Sequence, residues 1–280
     1  MTDTALVLGS GGITGVGWEI GMLYGLAEAG VDVSGADLVV GSSAGSVVAA
    51  QITSGRIGLP RLYERQLAPP DGEIPAQLGP AALLRFARAA LTSRTPEEYG
   101  RKLGRVALAR STGAEAARRK VIAGRLVSHT WPPDRRLKIT AVAADSGELR
   151  VFDRESGVGL VDAVAASCAV PGVWPAVTIE GRRWINGGAH SPANAQLAAG
   201  YDRVLVLAPL ALGGGPLDSP RTQVARLIGA GARVELITPG SAARRAFGRN
   251  SLEPARRAPA ARAGRAQAAA HAKAVAELWA

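Results

Sequence analysis

The sequence of 280 residues predicts an α/β fold of three layers, in which helices cover both faces of a mostly parallel central sheet. Apolar runs at residues 4–9 and 37–41 are typical of buried parallel strands. Each run is followed by a turn that contains glycine and then by a helical pattern. Strand–helix–strand–helix in this order predicts right-handed crossovers between parallel strands.

The other elements follow in chain order. The first helical pattern runs from Val16 to Ala29 and stops before Gly30, and the second covers residues 43–55. Residues 56–130 contain helical stretches between Pro and Gly breaks but no convincing strand, so we expect a helical insertion and a candidate lid. Further strands are expected at 137–145, at 148–153, in a hairpin within 176–188, at 201–209 and at 232–239.

The last part of the chain is expected to be helical as well. A turn at residues 186–188 ends the hairpin, and Ser191 with Pro192 predicts the start of a helix. The tail, residues 240–280, is rich in Arg and Ala, and its helices either close over the sheet or pack loosely. Because the sequence has no internal repeat and no strong linker, residues 1–280 are expected to form a single domain.

The composition is typical of a soluble globular protein, with 47% hydrophobic and 20% charged residues. No apolar run reaches the ~18 residues of a transmembrane helix. The first residues lack the pattern of a secretory signal. Cys168 is the only cysteine, which excludes an internal disulfide and agrees with a reducing compartment. We therefore expect a cytoplasmic protein with Cys168 in its core.

The net charge of +10 is concentrated in two segments. Residues 81–125 carry eleven Arg or Lys against three Glu, and residues 241–280 carry eight against two. These segments predict either peripheral contact with an anionic membrane or solvated helix faces, and we favour the second interpretation. Aromatic residues make up only 4% of the chain, which argues against a nucleic-acid partner.

The stretch from Gly41 to Gly45 matches the pattern Gly-x-Ser-x-Gly between a predicted strand and a predicted helix. A nucleophilic serine on a sharp strand-to-helix turn has this setting, and the residues around it must be small. Ser42 and Ala44 meet that requirement. Ser43 is therefore the candidate nucleophile, with the helix amino terminus behind it to favour developing negative charge.

A glycine-rich run from Leu8 to Gly15 follows the first predicted strand. Successive backbone amides without large side chains predict an oxyanion site. A dinucleotide loop is excluded because Ser10 or Thr14 falls where that motif requires glycine, and a phosphate-binding P-loop is excluded because no Gly-Lys-Ser/Thr follows. A glycine-rich turn without any chemistry remains the alternative.

A serine nucleophile needs a proton acceptor, and the chain offers few histidines. His129 and His271 are expected at the surface, and His190 follows the turn at residues 186–188. No histidine matches the usual late catalytic position of α/β-hydrolases. This shortage favours a dyad of serine and carboxylate.

Four stretches together resemble the patatin-like phospholipase family, namely residues 6–26, 37–50, 166–177 and 184–207. The resemblance covers about the first 210 residues except 56–130, and the motifs occur in the family's order. It implies a patatin-like α/β/α fold and hydrolysis of acyl esters or phospholipids by a Ser-Asp dyad, without a cofactor.

The resemblance also implies the site residues. The nucleophile falls on Ser43, and the position of the dyad aspartate falls on Asn186. The oxyanion hole falls on Ser10, Gly11, Gly12 and Gly15. Within the insertion, four apolar residues either line an acyl channel or, as we favour, pack on the sheet: Leu83, Leu84, Phe86 and Leu91.

Three residues depart from the family pattern. Ser10 replaces a usual glycine, Thr14 stands where many members have Arg or Lys, and Asn186 replaces the aspartate. An asparagine accepts or donates a hydrogen bond but does not take up a proton at neutral pH. Because a general base contributes about 10²–10⁴-fold to the rate, we expect hydrolysis to be impaired in this chain.

Four accounts of Asn186 stay open at this point. The substitution is engineered to silence turnover, or it marks a natural variant with altered or lost hydrolysis. Alternatively, His190 serves as the base, or the Asn-Gly sequence deamidates and restores an aspartate in part of the molecules. The alternative function is a catalytically silent or acyl-transferring lipid-binding protein on the same fold. The sequence predicts no acyl-chain length, head group or oligomeric state.

Overall fold

The computed structural model of the chain describes residues 3–109 and 115–280. Within these ranges eight strands form one sheet, in the order β5-β6-β3-β2-β1-β7-β8, and β4 also pairs with β3. The strands are β1 (Thr4–Leu8), β2 (Leu38–Gly41), β3 (Arg136–Ala143), β4 (Leu149–Phe152), β5 (Val177–Ile179), β6 (Arg182–Asn186), β7 (Arg203–Leu207) and β8 (Arg233–Ile237).

Five neighbouring strands of the sheet, β3, β2, β1, β7 and β8, are parallel to one another. By contrast, β4, β5 and β6 run antiparallel to their neighbours. The predicted mostly parallel sheet is therefore confirmed. The hairpin of β5 and β6 turns at Glu180 and Gly181, which both have positive φ angles, 50° and 75°. Two consecutive positive φ angles are typical of the tight hairpin turn that matches the twist of the strands.

Eleven α-helices lie in the described ranges. They are α1 (Gly12–Glu28), α2 (Ala44–Thr53), α3 (Leu59–Leu67), α4 (Pro80–Thr92), α5 (Pro96–Leu108), α6 (Glu115–Arg125), α7 (Leu160–Ser167), α8 (Pro220–Gly229), α9 (Ser241–Phe247), α10 (Arg257–Ala268) and α11 (Ala272–Trp279). None of these helices is long and apolar enough to cross a membrane.

The helices cover both faces of the sheet, as the sequence predicted. Alternate side chains of β1 point to opposite faces, so Leu6 and Leu8 pack with α1, α2 and α7, while Ala5 and Val7 pack with α8. Helix α5 covers the same face of the sheet as α8, near β3 and β6, and packs there through Leu103. The fold is therefore a three-layer α/β/α arrangement.

The segment 56–130 contains helices α3 to α6, and none of its described residues belongs to a strand. Helix α4 contradicts the expected packing of its leucines on the sheet. Leu83, Leu84 and Leu91 are 54%, 71% and 85% exposed, whereas Phe86 is half-buried. Of the four apolar residues, only Phe86 faces the protein.

The helix predicted to start at Ser191 and Pro192 is absent, and that prediction is wrong. These residues form irregular turns, followed by a 3₁₀ turn at Ala195–Ala198. Asn194 has a φ of +56°, which no residue inside an α-helix adopts. The Ser191 hydroxyl accepts a hydrogen bond from the Asn194 N–H at 2.9 Å, so it closes a local turn instead of capping a helix.

The tail packs closely on the first helix. Gly17, Gly21 and Gly25 form a glycine stripe along α1, at every fourth position, and face the backbone of α10. A Cβ added to Gly25 would lie 2.6 Å from the Arg265 carbonyl oxygen, and one added to Gly21 would overlap the Ala261 carbonyl. Helix α10 of the tail is therefore packed closely on α1 and is not loosely packed.

We predict that Gly21→Ala lowers the free energy of unfolding by about 1–3 kcal/mol, because its methyl group has no space beside α10. Gly124→Ala in α6 is the matched control. Its added methyl meets nothing within 4 Å, so we expect a gain of about 0.4–1 kcal/mol from the stiffer unfolded chain. Denaturant unfolding measures both values, and a stabilised Gly21→Ala variant would contradict the close packing.

Candidate active site

Ser43 occupies the turn between β2 and α2 and has a φ of +53°, which is strained for a residue with a side chain. The turn is sharp enough that the flanking glycines have no room for a Cβ. One added to Gly41 would lie 2.6 Å from the Gly45 carbonyl oxygen, and one added to Gly45 would overlap the Leu8 carbonyl. The structure therefore has the geometry that the Gly-x-Ser-x-Gly pattern predicts.

Three neighbours hold the strained backbone of Ser43 in place. Its N–H donates to the Ser167 hydroxyl at 2.8 Å, and its carbonyl oxygen accepts from the Ser46 hydroxyl at 2.6 Å and from the Cys168 thiol at 3.3 Å. Burial raises the pKa of Cys168, so its thiol keeps the proton that it donates. Sequence reasoning placed Cys168 in the core but missed its contact with Ser43.

Asn186 lies at the end of β6, and its side chain reaches Ser43. The amide Nδ2 donates to the Ser43 Oγ at 2.9 Å, and the amide Oδ1 accepts from the Gly188 N–H at 2.7 Å. Both residues are buried, at 6% and 8% exposure. The two positions that the resemblance implied as a dyad are therefore brought within hydrogen-bond distance.

The Gly188 N–H determines the direction of the bond between Asn186 and Ser43. Because a backbone N–H only donates, the amide oxygen must face Gly188, and the NH₂ group must then face the serine. Ser43 Oγ consequently accepts a hydrogen bond from Asn186 and does not donate one to it. An aspartate in the same pose would reverse this bond and accept the serine proton.

The glycine loop, residues 9–15, carries free backbone donors next to Ser43. Among the described residues, the N–H groups of Gly11, Gly12 and Ala44 have no acceptor. By contrast, the N–H of Ser10 donates to the Pro192 carbonyl at 2.8 Å, and that of Gly15 donates to the Gly11 carbonyl at 2.9 Å. Three amides at helix amino termini are thus available to a developing oxyanion.

The conformation of this loop requires glycine at two positions. Gly12 has a φ of +63°, and a Cβ there would lie 2.5 Å from the Ser251 carbonyl oxygen. A Cβ on Gly11 would lie 2.5 Å from the Pro209 ring. The N–H of Gly15 donates to the Gly11 carbonyl, but its lack of a side chain brings the loop close to Ala44. A Cβ added to Gly15 would lie 3.1 Å from the Ala44 side chain. The loop and the serine turn are therefore in direct contact.

The two smaller departures from the family pattern fit inside this loop. Thr14 is fully buried, and its hydroxyl donates to the Gly11 carbonyl at 3.3 Å, so it does not project a charge into the site. The Ser10 hydroxyl is buried and has no partner among the described residues. It borders the same cavity as Ser43 and is therefore a free polar group at the site.

A buried polar network lies behind the serine turn. Asn194 Nδ2 donates to the Ser42 hydroxyl at 2.8 Å and to the Gly187 carbonyl at 3.3 Å, and the Ser42 and Thr140 hydroxyls are 2.7 Å apart. These bonds connect the turn after β2, strand β3 and the loop that follows Asn186. Sequence reasoning missed this network, although polar residues within apolar runs were a signal for it.

His190 does not serve this site. Its Nδ1 lies 3.9 Å from the Glu97 carboxylate, and it borders a separate cavity with Asp218. Burial lowers the pKa of His190, so its neutral form is favoured. The account in which His190 replaces the missing carboxylate is therefore not supported. His129 is exposed, and His271 lies beside Glu235 on β8.

A cavity of about 390 Å³ opens beside Ser43 and Asn186. Apart from the glycine loop, most of its wall is apolar, including Phe86, Tyr99, Leu103, Val170, Leu210, Leu212, Leu217 and Leu252. Burial raises the pKa of Tyr99 to about 12, so its phenol is neutral. This cavity offers space for an apolar ligand against the Ser43 hydroxyl.

We predict that Ser167→Ala lowers the free energy of unfolding by about 1–3 kcal/mol, because the buried N–H of Ser43 then loses its acceptor. Ser128→Ala is the control, since its hydroxyl bonds lie at the surface, and we expect a change within about 0.5 kcal/mol. Denaturant unfolding compares the two variants. Equal stabilities would contradict the role given to Ser167.

Comparison with known proteins identifies the family of the chain. Residues 6–199 match the sequence profile described as "Patatin-like phospholipase". A search of curated proteins gave no match.

Two crystal structures match the chain over nearly its whole length. The type III effector protein ExoU shares 18% identity at a TM-score of 0.48, over 98% of this chain and 53% of its own. VipD from Legionella pneumophila shares 12% identity at a TM-score of 0.50, over 98% of this chain and 67% of its own. The chain thus spans about half the length of ExoU. Because the matched profile covers most of the sequence, the protein belongs to the patatin-like phospholipase family.

Proposed function

We propose that this chain is a lipid acyl hydrolase of the patatin type in which Ser43 is the nucleophile and position 186 holds the dyad partner, with turnover impaired by Asn186. Family membership supports hydrolysis of lipid esters in general. The observation that carries the finer assignment is the 2.9 Å contact between Asn186 Nδ2 and Ser43 Oγ. Position 186 approaches the nucleophile more closely than any of the three histidines.

In the proposed reaction Ser43 Oγ attacks the ester carbonyl carbon, and the carbonyl electrons move to the oxygen. That oxygen would receive hydrogen bonds from the free amides of Gly11, Gly12 and Ala44. A carboxylate at position 186 would accept the serine proton, return it to the leaving alcohol and then activate water. Asn186 performs none of these three steps, and its NH₂ group donates a hydrogen bond to Ser43 Oγ instead.

Lipid chemistry is supported by the cavity next to the serine. Its apolar walls match a fatty acyl chain, and its volume of about 390 Å³ lies within the range of small-ligand sites. Leu210 and Leu212, which border it, are 47% and 81% exposed, so they form an apolar rim at the surface. An acyl ester would enter over this rim.

A catalytically silent lipid-binding protein is the second candidate. The reversed hydrogen bond between Asn186 and Ser43 favours it, because binding needs the cavity but not the proton transfer. In that case lipid would bind without being cleaved. Formation of an acyl-enzyme at Ser43 by this chain, with Asn186 in place, distinguishes the two candidates.

Contact with an anionic membrane is supported by the outer face of α4. Leu84, Arg88 and Leu91 lie on that face at helical spacing, and all three are exposed. Phe86 and Ala90, on the opposite face, border the cavity. Helix α4 therefore covers the cavity with one side and offers leucine and arginine to a lipid surface with the other, as a lid would.

We predict that Asn186→Asp raises kcat/KM for short- and long-chain acyl esters by about 10²–10⁴-fold, because it supplies the proton acceptor. The gain falls as the pH drops through the pKa of the new carboxyl, since only the ionised form accepts the serine proton. Steady-state hydrolysis from pH 4 to 9 measures both effects. Ser43→Ala in the same background removes the nucleophile and is expected to abolish the gain.

If Asn186→Asp gains nothing and Ser43→Ala changes nothing in either background, the assignment of the dyad is wrong. Deamidation of the Asn-Gly sequence is tested separately by the mass of the peptide spanning residues 183–194. We expect a homogeneous asparagine peptide, because the Asn186 side chain is buried and held at both ends. A mass increase of about one dalton (the replacement of NH₂ by OH) in part of the sample would instead favour deamidation.

For the membrane contact, we predict that Leu84→Ser weakens binding to anionic vesicles by about 10-fold, since it removes about 1.5 kcal/mol or more of apolar burial. Ile228→Ser is the matched control, because Ile228 is 53% exposed on α8 and outside this face. Vesicle sedimentation at low and high salt measures the binding. Equal losses in the two variants, or equal binding to neutral vesicles, would contradict the proposed contact.

A further inference from the structure

Arg118 on α6 is buried without a counter-charge of its own. It is 5% exposed, and its guanidinium carbon lies 3.9 Å above the ring of Trp174. Among the described residues, neither its Nε nor its Nη1 has a hydrogen-bond partner. A buried guanidinium in this state is unfavourable unless something else provides acceptors and negative charge.

Two more arginines converge on the same place. Arg125 forms two bonds with the Glu73 carboxylate, at 2.9 Å and 2.5 Å, and Arg257 lies 3.8 Å from the same group. The Nε of Arg257 has no partner among the described residues. This arginine cluster, Arg118, Arg125 and Arg257, surrounds the Glu73 carboxylate, and Asp71 also acts on Arg257, so among the described residues three positive charges face two negative charges.

The arginine cluster lies next to the candidate nucleophile. A narrow cleft of about 20 Å³ is bordered by Gly12, Ser43, Arg118 and Arg125. Gly12 and Ser43 also border the apolar cavity, whereas Arg125 and Arg257 border a second cavity of about 570 Å³. The cleft therefore shares wall residues with both cavities and places Arg118 next to the surroundings of Ser43.

The electrostatics around the arginine cluster favour an anion. Burial and the neighbouring Arg125 lower the pKa of Arg118 to about 10, so the group stays charged at neutral pH at an energetic cost. Arg65 and Lys120 add positive charge to the wall of the second cavity, and Asp71 adds one negative charge. Planar guanidinium groups match the oxygens of a phosphate, which supplies the missing acceptors.

We propose that Arg118, Arg125 and Arg257 form a binding subsite for the phosphate of an acyl phospholipid, whose acyl chain lies in the apolar cavity and whose ester lies at Ser43. The inference assigns residues of this chain to a phosphate subsite and, for the position of the ester, rests on the proposed function. Of the two sources of a phosphate group, a lipid head group and a free phosphate, the cleft that borders both Ser43 and Arg118 favours the lipid.

Binding to the chain with Asn186 in place tests the subsite without any turnover. We would measure by calorimetry the binding of inorganic phosphate, dihexanoyl phosphatidic acid and dihexanoylglycerol. The phosphatidic acid is expected to bind tightest. Arg118→Gln is expected to weaken its binding by about 10- to 100-fold, the value of one or two hydrogen bonds to a charged group. Arg85→Gln, an exposed arginine on α4, is the matched control and should not change the binding.

Arg118→Lys keeps the positive charge and is a second variant for the case in which Arg118→Gln does not fold. It is expected to lose part of the binding, because an ammonium group lacks the planar fork. Equal binding of phosphatidic acid and dihexanoylglycerol overturns the subsite, and so does an equal loss in Arg85→Gln. If inorganic phosphate binds as tightly as phosphatidic acid, the site takes a free anion, and the assignment to a lipid head group is wrong.

The Asn186→Asp background separates this proposal from the proposed function. There, Arg118→Gln is expected to lower the ratio of kcat/KM for phosphatidic acid over dihexanoylglycerol by about 10-fold or more, while Arg85→Gln leaves the ratio unchanged. Hydrolysis of both lipids with an unchanged ratio refutes the subsite and leaves the hydrolase intact. Binding that depends on Arg118, without hydrolysis in the Asn186→Asp variant, refutes the hydrolase and leaves the subsite intact.

Discussion

The close approach of α2 to the end of β1 is the constraint on which the candidate site depends. The N–H of Gly45 donates to the Gly9 carbonyl, and the N–H of Ser42 donates to the Leu8 carbonyl, each at 3.0 Å. These bonds connect the serine turn to the glycine loop, so Ser43 and the free amides move as one unit. A side chain at Gly45 would separate them, since its Cβ would overlap the Leu8 carbonyl. These backbone contacts thus set the position of Ser43 relative to the free amides of the glycine loop.

The same rigidity explains how an asparagine fits at position 186. Asn186 pairs with Ala141 on β3, and β3 pairs with β2, so the sheet fixes its distance from Ser43. The Gly188 N–H then holds one side-chain oxygen, an arrangement that suits an aspartate equally well. On the proposed assignment of the dyad, the chain keeps the position of the partner residue, and an NH₂ group in place of one carboxylate oxygen reverses one hydrogen bond. On that assignment, loss of the proton acceptor is compatible with retention of the site.

The sequence predicts the strands and the position of Ser43 because both depend on local patterns, namely buried apolar runs and small residues around a turn. It fails where the outcome depends on distant partners. Ser191 and Pro192 looked like a helix start, but Asn194 turns back to bind Ser42, a residue far away in the chain. The composition of α4 likewise does not predict which of its sides faces solvent, because a leucine such as Leu84 occurs both against a sheet and, as here, exposed to water.

The distribution of charged residues is a second case in which the sequence does not predict the distant partners of a side chain, and here those partners bear on function. The two basic segments looked like solvated faces, yet Arg118 and Arg125 from the first meet Arg257 from the second around Glu73. Glu73 and Asp71 carry fewer charges than the three guanidinium groups, so positive charge is in excess where the insertion meets the tail. A phosphate bound there would offset that excess and connect α6 with α10. Substrate binding and the docking of the tail would then stabilise each other, because both draw on the same excess of positive charge.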